Sequence, residues 1–99
     1  MRFDVVIESV AGAQLLEAAL WYNEKRSGLG EELILCFEEA VDVLSRNPFF
    51  EVRYRNLRIY NIKRFPYQIV YLMEVEQVKI VAFFHASRDP KEWKKLYKR

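Results

Sequence analysis

The hydrophobic period of the chain changes at Asn47–Pro48, and that change limits the possible folds more than any other feature. Ahead of it, Leu33, Phe37, Ala40, Val41 and Leu44 follow helical spacing, while Glu31, Glu32, Glu38, Glu39 and Asp42 supply an acidic opposite face. Asn47 and Pro48 end that helix, because the residue before a proline avoids the α region and proline has no N–H to continue the ladder. Beyond it the apolar residues alternate. Three runs follow: LRIYNIK from Leu57, YQIVYLME from Tyr67 and VKIVAFFH from Val78. Each is β-branched and aromatic enough to read as a strand. In the middle run Tyr67, Ile69, Tyr71 and Met73 share one face, and Gln68, Val70, Leu72 and Glu74 the other.

The flanking segments complete the order. Residues 3–7, FDVVI, read as a short strand. Ser9 is placed to N-cap a helix in which Ala13, Leu16, Leu20 and Tyr22 recur at helical spacing, running to about Arg26 before Ser27 and Gly28 break it. Lys25 and Arg26 meet the negative end of its dipole. The Leu33–Leu44 helix begins near Leu29, and so short a joint predicts an antiparallel helical hairpin. At the C-terminus Asp89 as N-cap and Pro90 at the first helical position predict a short helix, with Trp93 and Tyr97 four apart on one side. The expected architecture is α+β, a single domain over residues 1–99 in the order β-α-α-β-β-β-α. An antiparallel sheet carrying the N-terminal helical hairpin on one face is the simplest way to bury the Leu33–Leu44 stripe.

Composition excludes several classes. A chain of 99 residues has room for one domain, and 52% hydrophobic residues with 15% aromatics exclude a disordered one. No apolar run approaches the roughly 20 residues of a membrane helix. The opening MRFDVVIESV carries acids where a signal peptide would be apolar, so a soluble cytoplasmic protein is expected. A single cysteine, Cys36, and a single histidine make neither an internal disulfide nor a structural metal site, and no cofactor or small-molecule substrate is expected. Gly12, Gly28 and Gly30 lack the spacing and the preceding strand of a phosphate-binding loop.

Charge is divided along the chain. Residues 1–49 hold four basic and nine acidic side chains, and residues 50–99 hold twelve basic and five acidic. A basic second half attracts an anionic partner, either a phosphate backbone or an acidic protein segment, through a salt-dependent long-range term. Arg53, Arg55, Arg58, Lys63 and Arg64, interleaved with Tyr54, Tyr60 and Tyr67, can grip a nucleic acid by charge and stacking; equally, those tyrosines can pack against the helices. His85 is the side chain whose unperturbed pKa suits proton transfer near neutrality. If the chain cleaved RNA, His85 would be its acid or base, and Arg64 and Arg88 would stabilise the charge growing on phosphorus.

Two stretches carry a family resemblance. Phe65-Pro66-Tyr67-Gln68-Ile69-Val70-Tyr71 and His85-Ala86-Ser87-Arg88-Asp89-Pro90, followed by Trp93, resemble the RelE/ParE toxin superfamily of type II toxin–antitoxin systems. So do a first helix with Ala18, Trp21 and Tyr22 and the Asn47–Pro48 stop. RelE-like members cleave messenger RNA on the ribosome, whereas ParE-like members poison DNA gyrase. RelE-like nucleases place an arginine directly after the tyrosine of the third strand and often a tyrosine near the C-terminus. Here Gln68 follows Tyr67, and Trp93 has no hydroxyl, although Arg88 matches a basic position and Arg58 and Lys63 could stand in for others.

The resemblance is closer to the ParE branch. It implies inhibition of gyrase by binding, with no catalytic set, through a contact surface of Arg58, Arg64, His85, Arg88 and Trp93, the residue types that dominate hot spots. It also implies a cognate antitoxin, whose disordered and often acidic C-terminal segment folds on the toxin. The alternatives are a ribosome-dependent endoribonuclease using Arg64, His85 and Arg88, and a non-toxic relative that keeps only antitoxin binding.

Overall fold

Helix gives way to sheet at Pro48, where the hydrophobic period changes. The computed structural model describes residues 2–95, and of Glu92 and Trp93 the backbone only. In chain order these form β1 (Asp4–Ile7), α1 (Ser9–Lys25), α2 (Leu29–Arg46), β2 (Val52–Tyr54), β3 (Leu57–Asn61), β4 (Tyr67–Glu74), β5 (Gln77–His85) and α3 (Lys91–Lys94). The strands make one sheet in the order β1-β5-β4-β3-β2. Among the described residues no helix is long and apolar enough to cross a membrane.

The α+β architecture with a helical hairpin is as expected, and the sheet differs from expectation in two ways. It is mixed and not wholly antiparallel: β2 to β5 pair antiparallel, but β1 lies parallel to β5, with Val5 opposite Val78 and Ile7 opposite Ile80. No tight turn joins β1 to its neighbour, so nothing forces the antiparallel sense. Its direction is set by the helix it feeds, where the Glu8 N–H bonds the Ile80 carbonyl at 2.9 Å. The second difference is β2, only three residues long and therefore too short to show a period. It pairs back onto β3 through a turn in which Arg55 takes a positive φ of 55°.

The two helices approach closely. Their joint turns at Gly28, in the left-handed region at φ 90°. Asn23 of α1 then caps α2: its Oδ1 accepts the Gly30 N–H at 2.7 Å and its Nδ2 donates to Glu31 at 3.2 Å, satisfying an N-terminal donor that the helix itself leaves unpaired. A Cβ on Gly30 would stand 2.2 Å from the Ala19 carbonyl oxygen, so only glycine allows this crossing. The inward face of α1 is correspondingly small, with Ala11, Ala18 and Ala19 buried and Leu15 and Tyr22 packed beside them. The helical spacing of α1 is as the sequence predicts, but Leu16 and Leu20 face outward and are 56% and 57% exposed. The predicted Ser9 cap is also displaced: Glu8 occupies the cap position, without a side-chain bond. At the other end of the chain the Lys91 N–H bonds Asp89 Oδ1 at 2.9 Å, in keeping with the cap read from sequence. Tyr97 and the side chain of Trp93 lie outside the described residues.

Apolar residues are buried on both faces of the sheet. Leu33, Phe37, Ala40 and Leu44 of α2 pack with Ile69, Tyr71, Val78, Ile80 and Phe83, while Leu57, Val70, Leu72, Val81, Ala82 and Phe84 form a second cluster on the opposite face. A bulge makes this possible. Val70 is opposite Ala82 but Tyr71 is opposite Ile80, so Val81 is an extra residue. It shifts the alternation, turning Phe83 toward the helices although Ile80 also points there.

Tyr71 ties the sheet to the end of α2, its buried hydroxyl donating to the Pro48 carbonyl at 2.7 Å. Burial pushes that hydroxyl up to about 12, partly offset by the Phe50 backbone and Arg58. The folded value lies above the unfolded one of about 10, so this contribution to stability is intact below about pH 10 and is lost as pH rises toward 12. Tyr71→Phe should cost about 1 kcal/mol near neutrality for the lost hydrogen bond. Urea unfolding at about pH 8 and about pH 11 should show the gap between wild type and variant closing, because ionisation removes about 1.4 kcal/mol from the wild type over that interval, at least as much as the gap itself. An unchanged gap contradicts the assignment.

Candidate functional site

Strand β1 pairs only with residues Gln77 to Ile80 of β5, so on the edge away from β4 the far half of β5 has no strand beside it among the described residues. Helix α1 crosses there instead. Gln14 reaches from it to accept the Phe83 N–H at 2.7 Å, capping the open strand edge. Between helix and strand lies a groove of about 720 Å³, walled by Trp21, Tyr22, Tyr67 and Phe83, with Glu17 on its helix side and His85 and Arg88 at its end.

The rings form a continuous series. Tyr22 meets Trp21 at 5.0 Å, Phe65 at 5.1 Å and Tyr67 at 6.2 Å, and Tyr67 stacks on Phe83 at 4.9 Å. Burial, and then the neighbouring Tyr22, raise the Tyr67 hydroxyl above its ordinary range. The His85 ring stands edge-on to Tyr67 at 5.2 Å, and its Nδ1 accepts the Ser87 N–H at 3.0 Å. A neutral His85 therefore carries its proton on Nε2.

A second, shallower groove of about 440 Å³ lies on the sheet face opposite the helices, lined by Arg53, Ile59, Gln68, Ser87, Arg88 and Lys94 among others. Gln68 sits in register with Phe84 and donates to Asn61 Oδ1 at 3.0 Å. Arg88 lines both grooves, its guanidinium lying over the Phe84 ring at 5.4 Å.

The residues singled out from sequence do not all converge. His85 and Arg88 come together at the aromatic groove. Arg58 is elsewhere, donating to the Phe50 carbonyl at 2.5 Å and lying over Phe49 at 5.7 Å. Arg64, at a positive φ of 71°, pairs with Glu32 of α2 at 2.7 Å. Together with Arg26, it holds the Glu32 carboxyl below the usual carboxylate range. Trp93 belongs to α3, with its side chain outside the described residues. The basic run beginning at Arg53 also splits, with Lys63 lining a cavity on the helix side that Glu38, Glu39 and Asp42 of α2 also line. Sequence reading gave Trp21 and Tyr22 no site role and did not connect Arg53 with Lys94. Helical spacing shows that α1 has an apolar face but not which part of it the hairpin leaves uncovered. Among the described residues no group of three or more His, Cys, Asp or Glu could hold a metal ion.

No family model and no curated protein matches the chain by sequence. Among solved structures, a chain described as belonging to a chromosomal ParDE TA system from P. aeruginosa is similar to it, with a TM-score of 0.77 and 12% sequence identity. The match covers 87% of this chain and 98% of that one. At that identity the likeness speaks for the fold, which is RelE/ParE-like.

Proposed function

We propose that this chain is the toxin of a type II toxin–antitoxin system, that it inhibits DNA gyrase by binding, as ParE-like toxins do, and that it acts in the cytoplasm. In this reading a cognate antitoxin neutralises it by ordering a C-terminal segment along the aromatic groove, where apolar burial offsets the entropy of ordering. The fold likeness supports the toxin assignment. What favours binding over RNA cleavage is the commitment of Arg64 to Glu32, away from His85 and Arg88. The neutral amide of Gln68, where the nucleases carry arginine, adds to this. A phosphorane needs converging charge, and those three side chains do not line one groove.

Inducing the chain alone in bacteria tests the proposal. Loss of plasmid supercoiling with intact transcripts is expected, and coexpression of the protein encoded by the adjacent reading frame should restore growth. Breaks in messages at ribosomes with supercoiling unaffected would establish the nuclease instead. Unimpaired growth together with tight binding to the neighbouring gene product would identify a non-toxic relative.

A further inference from the structure

Cations of the second half of the chain lie on both sides of the sheet. On the helix side Arg64 pairs with Glu32, and Lys63 lines a cavity that Glu38, Glu39 and Asp42 of α2 also line. On the opposite sheet face Arg53, Arg88 and Lys94 line the shallow groove, and Arg55 joins them through Tyr54, whose ring lies 5.3 Å from Arg55 and 4.8 Å from Lys94. A ring contact orients a cation without cancelling its charge. Arg53 and Arg55 make no ion pair among the described residues. Asp89 is the acid in that lining, and its Oδ1 already accepts the Lys91 N–H.

We propose that this groove docks the phosphodiester backbone of duplex DNA, without sequence preference and without cleavage. We further propose that Arg88 makes such docking exclusive with a peptide segment seated in the aromatic groove. An acidic peptide would satisfy the same charges, but a segment that orders on binding needs apolar area. Among the described residues this lining offers Ile59, Ala86 and Pro90 as apolar surface, whereas the aromatic groove offers a wall of rings. A duplex arrives already ordered and asks only for cations and neutral donors. The Gln68 amide stands in the lining to supply the latter. A single strand would need open stacking platforms, and Tyr54, the ring at the rim, is already covered by two cations. Arg88 belongs to both linings, so a segment that draws its guanidinium into the aromatic groove removes a cation from the DNA side.

The DNA site stands independently of gyrase, and the exclusion rests on the antitoxin reading, so the test separates them. A labelled duplex of about 20 base pairs of arbitrary sequence is titrated with the purified chain by fluorescence anisotropy. With four cations engaged, affinity should fall about 100-fold between about 50 and 200 mM salt. In an Arg53→Gln, Arg55→Gln variant with unchanged circular dichroism, the logarithmic salt slope should halve, whereas Lys63→Gln should leave it as it was. Equal or tighter binding of a single strand, or an unaltered slope in the double variant, overturns the DNA site. A peptide copying the C-terminal segment of the protein encoded by the adjacent frame should displace the duplex. Simultaneous binding of both overturns the exclusion alone.

Discussion

Gly30→Ala should destabilise the chain by about 3 kcal/mol, at the upper end of what overpacking costs. The added methyl would meet the Ala19 carbonyl oxygen at 2.2 Å and Asn23 Cγ at 2.8 Å. Backbone oxygen cannot rotate aside as a side chain can, so the helices must separate. In doing so they strain the Asn23 cap on the Gly30 N–H and open the contacts of Ala18 and Ala19 with the core. Gly12→Ala is the matched control: it sits in α1 with nothing within 4 Å of the added Cβ, and helix propensity alone should stabilise it by up to about 1 kcal/mol. Urea midpoints of the two variants should therefore move in opposite directions. A Gly30→Ala variant as stable as wild type would mean that the helices do not cross at Gly30.

That crossing also marks the boundary of what the sequence discloses. Local signals were legible: the Pro48 stop, the Asp89 cap and the two faces of β4 each rest on a few neighbouring residues and are found where the pattern predicts. Features that depend on distant partners were not. The parallel sense of β1 follows from where α1 must start, and the Val81 bulge appears only when β4 is laid against β5. Leu16 and Leu20 look like core residues by hydropathy, yet the close approach at Gly30 assigns the inward face to alanines and leaves the leucines outside. The site divides in the same way. His85 and Arg88, three residues apart at a strand end, were found together, whereas Arg64 was drawn off by Glu32, 32 residues away in sequence. Charge counted along a chain does not tell which cations a helix will neutralise.

If the proposed antitoxin orders along the aromatic groove, Trp21→Ala should weaken its binding by about 2 kcal/mol, roughly 30-fold, while leaving folding stability within about 0.5 kcal/mol. The two effects separate because the Trp21 ring is 51% exposed on the groove wall, touching Tyr22 at 5.0 Å and Lys25 at 4.8 Å, and takes no part in the buried cluster. A large aromatic that the fold barely uses is well suited to anchor a partner. Its contribution is apolar, so the loss should be the same at low and high salt. Arg88→Gln should behave differently: if the proposed antitoxin segment is acidic, its effect on affinity should be largest at low salt and shrink as ions screen the charges. Calorimetric titration of wild type and both variants at two salt concentrations separates the ring from the charge. Wild-type affinity in Trp21→Ala would remove the aromatic groove from the antitoxin interface. A loss in Arg88→Gln that does not vary with salt would mean that Arg88 contributes by packing on Phe84, not by its charge.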